Sequence, residues 1–145
     1  MITANEAIQR WVDDALAYPL GIPARLRALL AGGVVHIGDG LFFADAHKSL
    51  DLPTPALERF VNTVRLDALP SVRRIPAGTD AWVYECVAVG IALGSAVLER
   101  EPAASVVVRV DLDDVEHPDA TFSFGRTVDA SESTDVAQGV LVMTA

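Results

Sequence analysis

Apolar residues recur at two different spacings, which divide the chain into a helical first part and a β-rich last part. In the first part, Thr3 and Glu6 predict a capping box, and Tyr18-Pro19 predicts the end of the first helix because a residue before proline disfavours helical backbone. The apolar positions between them repeat at helical spacing. They are Ile8, Trp11, Val12, Ala15 and Leu16.

Two further helices are predicted before residue 70. One runs from Pro23 to the Gly32-Gly33 stop, since proline suits a first helical position and glycine suits a helix end. The other begins at Thr54-Pro55 and stops at Leu69-Pro70. Its apolar face is formed by Leu57, Phe60, Val61, Val64 and Ala68.

Residues 81–98 are apolar on all sides except for Glu85, which favours a long buried helix capped by Asp80 and ending at Arg100. A pair of buried strands is the alternative, because Trp, Val and Tyr also favour strands. A membrane span is disfavoured by Glu85. Gly90 and Gly94 share a helical stripe with Cys86 and predict the close approach of a sheet or another helix.

The last third of the chain alternates apolar and polar residues with a period of two. Val106, Val108 and Val110 point one way, and Phe122 and Phe124 repeat the pattern after a turn. A closing apolar run follows at 139–143. Strands joined by short turns predict an antiparallel meander, so the fold class is α+β, with a single domain over residues 1–145.

The stretch HIGDGLFFADAH, residues 36–47, predicts a β-hairpin with a candidate metal site on one face. A two-residue turn at Asp39-Gly40 would pair His36 with Phe43 and place His36 diagonally from Asp45. His47 continues on that face. Imidazole and carboxylate suit zinc or another divalent transition metal, so His36, Asp45 and His47 form a permissible ligand set. A polar hairpin face without metal is the favoured interpretation.

The charge balance limits the classes of partner. Twenty acidic residues against eleven basic ones give a formal charge of −9, which disfavours nucleic acid and anionic membranes but permits a basic protein partner. Lys48 is the only lysine beside ten arginines, a usage typical of GC-rich bacterial genomes. The single Cys86 excludes an intrachain disulfide, and no signal peptide is evident, so a cytoplasmic location is expected.

Motifs for several chemistries fail on inspection. The third glycine of a dinucleotide fingerprint would fall at Phe43, and a calcium loop starting at Asp111 would place Glu116 where glycine is needed. Cys86 lies in an apolar segment beside Glu85, which predicts a structural thiol rather than a nucleophile. No cofactor is expected, and a non-enzymatic role is favoured, although a catalytic site assembled from distant residues stays open.

Three functional hypotheses follow. The first is a non-enzymatic protein-binding domain, an acidic inhibitor of a basic protein such as a toxin-neutralising immunity protein. The second is a small metal-dependent hydrolase using the residue 36–47 set, and the third is a self-assembling subunit that uses the apolar segment 81–98. The oligomeric state is open. The predicted partner-binding residues are Asp111, Asp113, Asp114, Glu116 and Asp119.

Overall fold

The computed structural model describes residues 1–46, 53–112, 119–126 and 138–145, and the bounds of its elements are as follows. The strands are β1 (Ile2–Ala4), β2 (Val34–Ile37), β3 (Gly40–Phe43), β4 (Val64–Arg65), β5 (Ser105–Asp111), β6 (Ala120–Gly125) and β7 (Gln138–Thr144). The helices are α1 (Gln9–Ala17), α2 (Ala24–Ala31), α3 (Thr54–Asn62), α4 (Pro70–Arg73) and α5 (Asp80–Arg100), with a 3₁₀ turn at Leu66–Ala68.

Five strands form one antiparallel sheet in the order β1-β7-β5-β6-β4, and β2 and β3 form a separate hairpin. The C-terminal alternation produces the three central strands, with Val106 on β5 opposite Phe124 on β6 and Met143 on β7. The predicted α+β class with a C-terminal antiparallel meander is therefore confirmed. After β6 the chain returns to the other edge of β5, so β6 and β7 run parallel to each other on its two sides.

Residues 80–100 form a helix, as favoured over the strand pair, and this helix packs its core side on the sheet. Thr79 caps α5 instead of Asp80, because its hydroxyl accepts a 3.2 Å hydrogen bond from the backbone N–H of Trp82. The two helix glycines meet the sheet as predicted. A Cβ on Gly90 would lie 2.8 Å from Val108, and one on Gly94 would lie 2.6 Å from the sulfur of Met143.

The predicted start of the first helix is wrong. Residues 2–4 form β1, which pairs with β7 through Ile2 opposite Met143, and α1 begins only at Gln9. The Thr3 capping box therefore does not exist. Asn5 reinforces the strand instead, because its side chain donates to the carbonyl of Gln138 and accepts from the N–H of Val140.

The third helix also differs from its prediction, because it ends at Asn62 and not at Leu69. Val64 and Arg65 leave the helical path and pair with β6, opposite Phe122 and Thr121. A short stretch with helical apolar spacing thus becomes an edge strand, since pairing with an existing strand satisfies its backbone groups.

The hairpin forms with a register two residues away from the expected one. Its turn centres are Gly38 and Asp39, so His36 lies opposite Leu41 and not opposite Phe43. Gly38 takes a positive φ of 57°, as the first central position of a type II′ turn requires, whereas no non-glycine residue in the described ranges does so. A type I′ turn at Asp39-Gly40 would need Asp39 in that conformation.

Candidate functional site

His36 lies between two charged side chains from the second half of the chain, Glu101 and Arg126. Its Nε2 is 2.8 Å from Oε1 of Glu101, which follows α5, and its Nδ1 is 3.3 Å from Nη2 of Arg126, which follows β6. The imidazole is half exposed, whereas the Glu101 side chain is 17% exposed. The hairpin is thereby joined to the helix end and to the sheet.

The two contacts fix the tautomer of His36. A guanidinium can only donate, so Nδ1 must accept from Arg126, and Nε2 then carries the proton that it donates to Glu101. In a catalytic Ser-His-Asp arrangement the second ring nitrogen faces a nucleophile. Here a guanidinium that cannot give up a proton stands in that position, so this arrangement fastens the hairpin and does not activate a nucleophile.

Of the three proposed metal ligands, the structure describes His36 and Asp45, and it places them at different ends of the hairpin. His36 lies opposite Leu41 near the turn, whereas Asp45 lies two residues beyond the end of β3, where its carboxylate occupies the space that a Cβ on Gly32 would need. His47 lies outside the described residues. Within the parts of the chain that the structure describes, no group of three His, Cys, Asp or Glu side chains could hold a metal ion. The three-ligand set accordingly stays a prediction.

The acidic run from Asp111 to Asp119 has its two ends in contact. The backbone N–H of Asp111 donates a 2.8 Å hydrogen bond to the carbonyl of Asp119, where β5 ends and β6 begins. Asp113, Asp114 and Glu116 lie outside the described residues. The first and last residues of the acidic run therefore both lie at the same end of the sheet.

Arg65 and Asp67 stand beside this end of the sheet. Arg65 donates from Nε and Nη2 to the Asp67 carboxylate at 3.1 and 3.0 Å, and Nη2 also lies 3.8 Å from Asp119. Partial burial of Asp67 works to raise its pKa, but hydrogen bonds from Arg65 and from the N–H of Ala120 outweigh it and lower the pKa below its usual value. These hydrogen bonds therefore stabilise the charged form of the Asp67 carboxylate.

Cys86 is buried on α5, as predicted for a structural thiol. Burial raises the pKa of this thiol strongly, and the negative charges of Asp67 and Glu85 raise it further. A nucleophilic cysteine needs the opposite shift, because the thiolate is the reactive form. Burial and the raised pKa are both typical of a structural thiol.

Two buried polar residues on α3 escaped sequence analysis. Glu58 and Asn62 are both 0% exposed, and they lie one helical turn apart facing the gap between β3 and β6. The Asn62 amide donates to the carbonyls of Leu41 and Phe124 and accepts from the N–H of Phe43. In the sequence, their burial was indicated only by their position on the same helical face as Val61, and Glu and Asn are ordinarily exposed.

Helix α5 is long and apolar enough to cross a membrane by length and composition, and 61% of its most apolar window is buried inside the fold. Its side chains pack on the sheet and on α1, which is the behaviour of a core helix. The apolar surface that the self-assembly hypothesis invoked is therefore largely covered within one chain.

Comparison of the chain with protein-family models, with curated proteins and with solved structures found no match.

Proposed function

We propose that this chain is a non-enzymatic protein-binding domain that acts as an acidic inhibitor of a basic protein, in the manner of an immunity protein that neutralises a toxin. The observation that carries the proposal is the contact between Asp111 and Asp119. It closes a stretch of nine residues, five of them acidic, at one end of the sheet. The strands β5 and β6, which belong to the core sheet, hold the two ends of this stretch in place.

The local charge supports a basic partner. Five carboxylates belong to the acidic run, and Arg65 and Arg109 are the bases of the adjoining strands; the charge of Arg65 is already balanced by Asp67. Negative charge that is concentrated in one region accelerates encounter with a positively charged surface and selects against acidic proteins. The formal charge of −9 for the whole chain acts in the same direction.

The experiment compares two triple variants that change the net charge equally. Asp113→Asn, Asp114→Asn and Glu116→Gln neutralise the acidic run, and the control triple neutralises three exposed acids near α1: Glu6→Gln, Asp13→Asn and Asp14→Asn. Each tagged protein is used for pulldown from extract of the source cell at 50 mM and 500 mM salt.

A basic protein retained by the wild type and by the control triple, but lost from the acidic-run triple, supports the proposal. Retention should also weaken at high salt, because the screening length falls from about 10 Å at 0.1 M towards about 3 Å at 1 M. The proposal is overturned if nothing is retained at low salt, or if both triples lose the same protein equally.

The metal-dependent hydrolase remains an alternative proposal, and elemental analysis tests it. Protein purified without added metal should contain near-stoichiometric zinc, iron or manganese if His36, Asp45 and His47 form a metal centre. Absence of metal, with unchanged melting in the presence of a chelator, would remove this alternative.

A further inference from the structure

A cavity of about 520 Å³ lies between α2, the end of α3 and the segment from β4 to Leu69. Its lining includes Leu26 and Leu69, which are 2% and 1% exposed and belong to the hydrophobic core. The cavity therefore reaches from the surface to the core. Its volume falls within the range of about 300–1,000 Å³ that is usual for small-molecule sites.

The walls of this cavity are mainly apolar. Besides the two core leucines they are formed by Leu29, Val61 and Val64, together with alanines. Such walls offer water few hydrogen bonds, so an apolar molecule displaces water from them favourably. The body of a fitting ligand is therefore apolar.

Three charged side chains also line the cavity: Arg25, Arg65 and Asp45. Arg65 already donates two hydrogen bonds to Asp67. Arg25, in contrast, has no ion pair with any residue in the described ranges. Its guanidinium is thus free to accept a carboxylate in the two-pronged geometry that arginine favours.

We propose that this cavity binds a small apolar carboxylate, with its hydrocarbon part against Leu26 and Leu69 and its carboxylate on Arg25. Acidic residues elsewhere in the chain do not prevent this, because charges more than about 8 Å away are largely screened at physiological ionic strength. The carboxylate of Asp45 in the cavity wall lies against Gly32, at the opposite end of α2 from Arg25. The site lies on residues other than the acidic run, so the proposal does not depend on a protein partner.

The test is titration calorimetry with decanoate at submillimolar concentration, using decanol and decyltrimethylammonium as probes of the same chain length without the negative charge. Arg25→Gln removes the proposed carboxylate partner. Arg27→Gln is the matched control, because Arg27 is an exposed arginine on the same helix and does not line this cavity. Ala28→Phe fills the cavity from the exposed helix surface without altering the core.

Saturable 1:1 binding of decanoate by the wild type and by Arg27→Gln supports the proposal. The affinity should fall about tenfold or more in Arg25→Gln, the loss of one charge-assisted contact, and binding should disappear in Ala28→Phe. A carboxylic acid retained by the purified protein in native mass spectrometry also supports it. The proposal is overturned if neither the titration nor the mass spectrum shows a bound acid, if decanol binds as tightly as decanoate, or if the two arginine variants behave alike.

Discussion

Glu58 on α3 accepts a hydrogen bond of 2.9 Å from the backbone N–H of Leu41 on β3. The same carboxylate oxygen accepts another, also of 2.9 Å, from the N–H of Arg126 just after β6. Since Glu58 is fully buried, one side chain holds the hairpin and the main sheet together. The position of His36 depends on this joint, because the hairpin carries it.

Replacement of Glu58 by alanine should lower the free energy of unfolding by about 3 kcal/mol, because the buried N–H of Leu41 and the partly buried N–H of Arg126 lose their acceptor, at about 1–3 kcal/mol for a buried group. Glu58→Gln should cost less, since its amide oxygen still accepts. Urea unfolding followed by circular dichroism measures both. Glu99→Ala, at an exposed position on α5, is the control and should change stability by less than about 0.5 kcal/mol. A Glu58→Ala protein as stable as this control would contradict the interpretation.

A second prediction concerns Asn62 and separates the contribution of its two donated hydrogen bonds from the contribution of its side-chain volume. Asn62→Asp keeps the shape of the side chain but replaces the amide donor that serves the carbonyls of Leu41 and Phe124. We expect a loss of at least about 2 kcal/mol at neutral pH, because buried carbonyls then face a carboxylate oxygen. Urea unfolding of Asn62→Asp beside Asn62→Ala measures it. Wild-type stability in Asn62→Asp would show that these bonds contribute nothing.

A third prediction concerns Cys86: the free energy of unfolding of the wild type should differ from that of Cys86→Ala in its pH dependence only at alkaline pH. Its thiol pKa is raised in the folded protein, so above the unfolded pKa of about 8.5 the unfolded chain loses a proton that the folded chain keeps. Deprotonation then favours unfolding, and this residue should reduce stability by about 1.4 kcal/mol for each further pH unit.

The measurement is urea unfolding of the wild type and Cys86→Ala from pH 7 to 10.5, under reducing conditions. Subtracting one curve from the other removes the tyrosine and lysine contributions that both proteins share. The wild type should lose stability relative to Cys86→Ala above about pH 8.5, and the two should run parallel below it. Parallel curves throughout the range would refute the prediction.

The two glycines of α5 should respond differently to alanine. A Cβ on Gly90 would meet both methyl groups of Val108, at 2.8 and 3.1 Å, whereas one on Gly94 would meet the flexible end of Met143 most closely, at 2.6 Å, and one methyl group of Val106 at 3.0 Å. We expect Gly90→Ala to lose about 1–3 kcal/mol through overpacking, and Gly94→Ala to lose less because methionine can rearrange.

Val108→Ala provides the internal check, because it removes the atoms that the new methyl group meets. The double variant should show a favourable coupling of at least about 0.5 kcal/mol relative to the sum of the single changes. Ser95→Ala, on the exposed side of the same helix, reports the effect of helix propensity alone. Additive effects in the double variant would mean that the contact is not responsible.

The sequence predicted helices and strands well where the local residue pattern agrees with the tertiary packing. Val106, Val108 and Val110 alternate because one face of β5 is buried under α5, and the same alternation identified the strand. The prediction failed at residues 2–4 and 64–65, where a capping signal and a helical spacing gave way to pairing with strands far along the chain. Short segments have weak local preferences, so a distant partner decides their conformation.

The candidate sites divide in the same way. The acidic run and the unreactive character of Cys86 follow from residues that are neighbours in sequence. The surroundings of His36 do not follow from neighbouring residues, because Glu101 and Arg126 are 65 and 90 residues away in the sequence. The hairpin register also differs by two residues from the predicted one, so His36 lies opposite Leu41. The cavity beside Arg25 could not be predicted from the sequence either, since its walls come from three separate segments.

By itself, the sequence determined the C-terminal strands and the strongly negative charge, and it favoured the long helix at 80–100 with its glycine stripe over a pair of strands, because each depends on periodicity or composition within a short window. Only the tertiary structure decided the edge strands β1 and β4, the hairpin register, the Glu58–Asn62 joint and the cavity. These features arise where backbone groups or side chains from distant segments satisfy one another, and no local pattern records which distant segment supplies the partner.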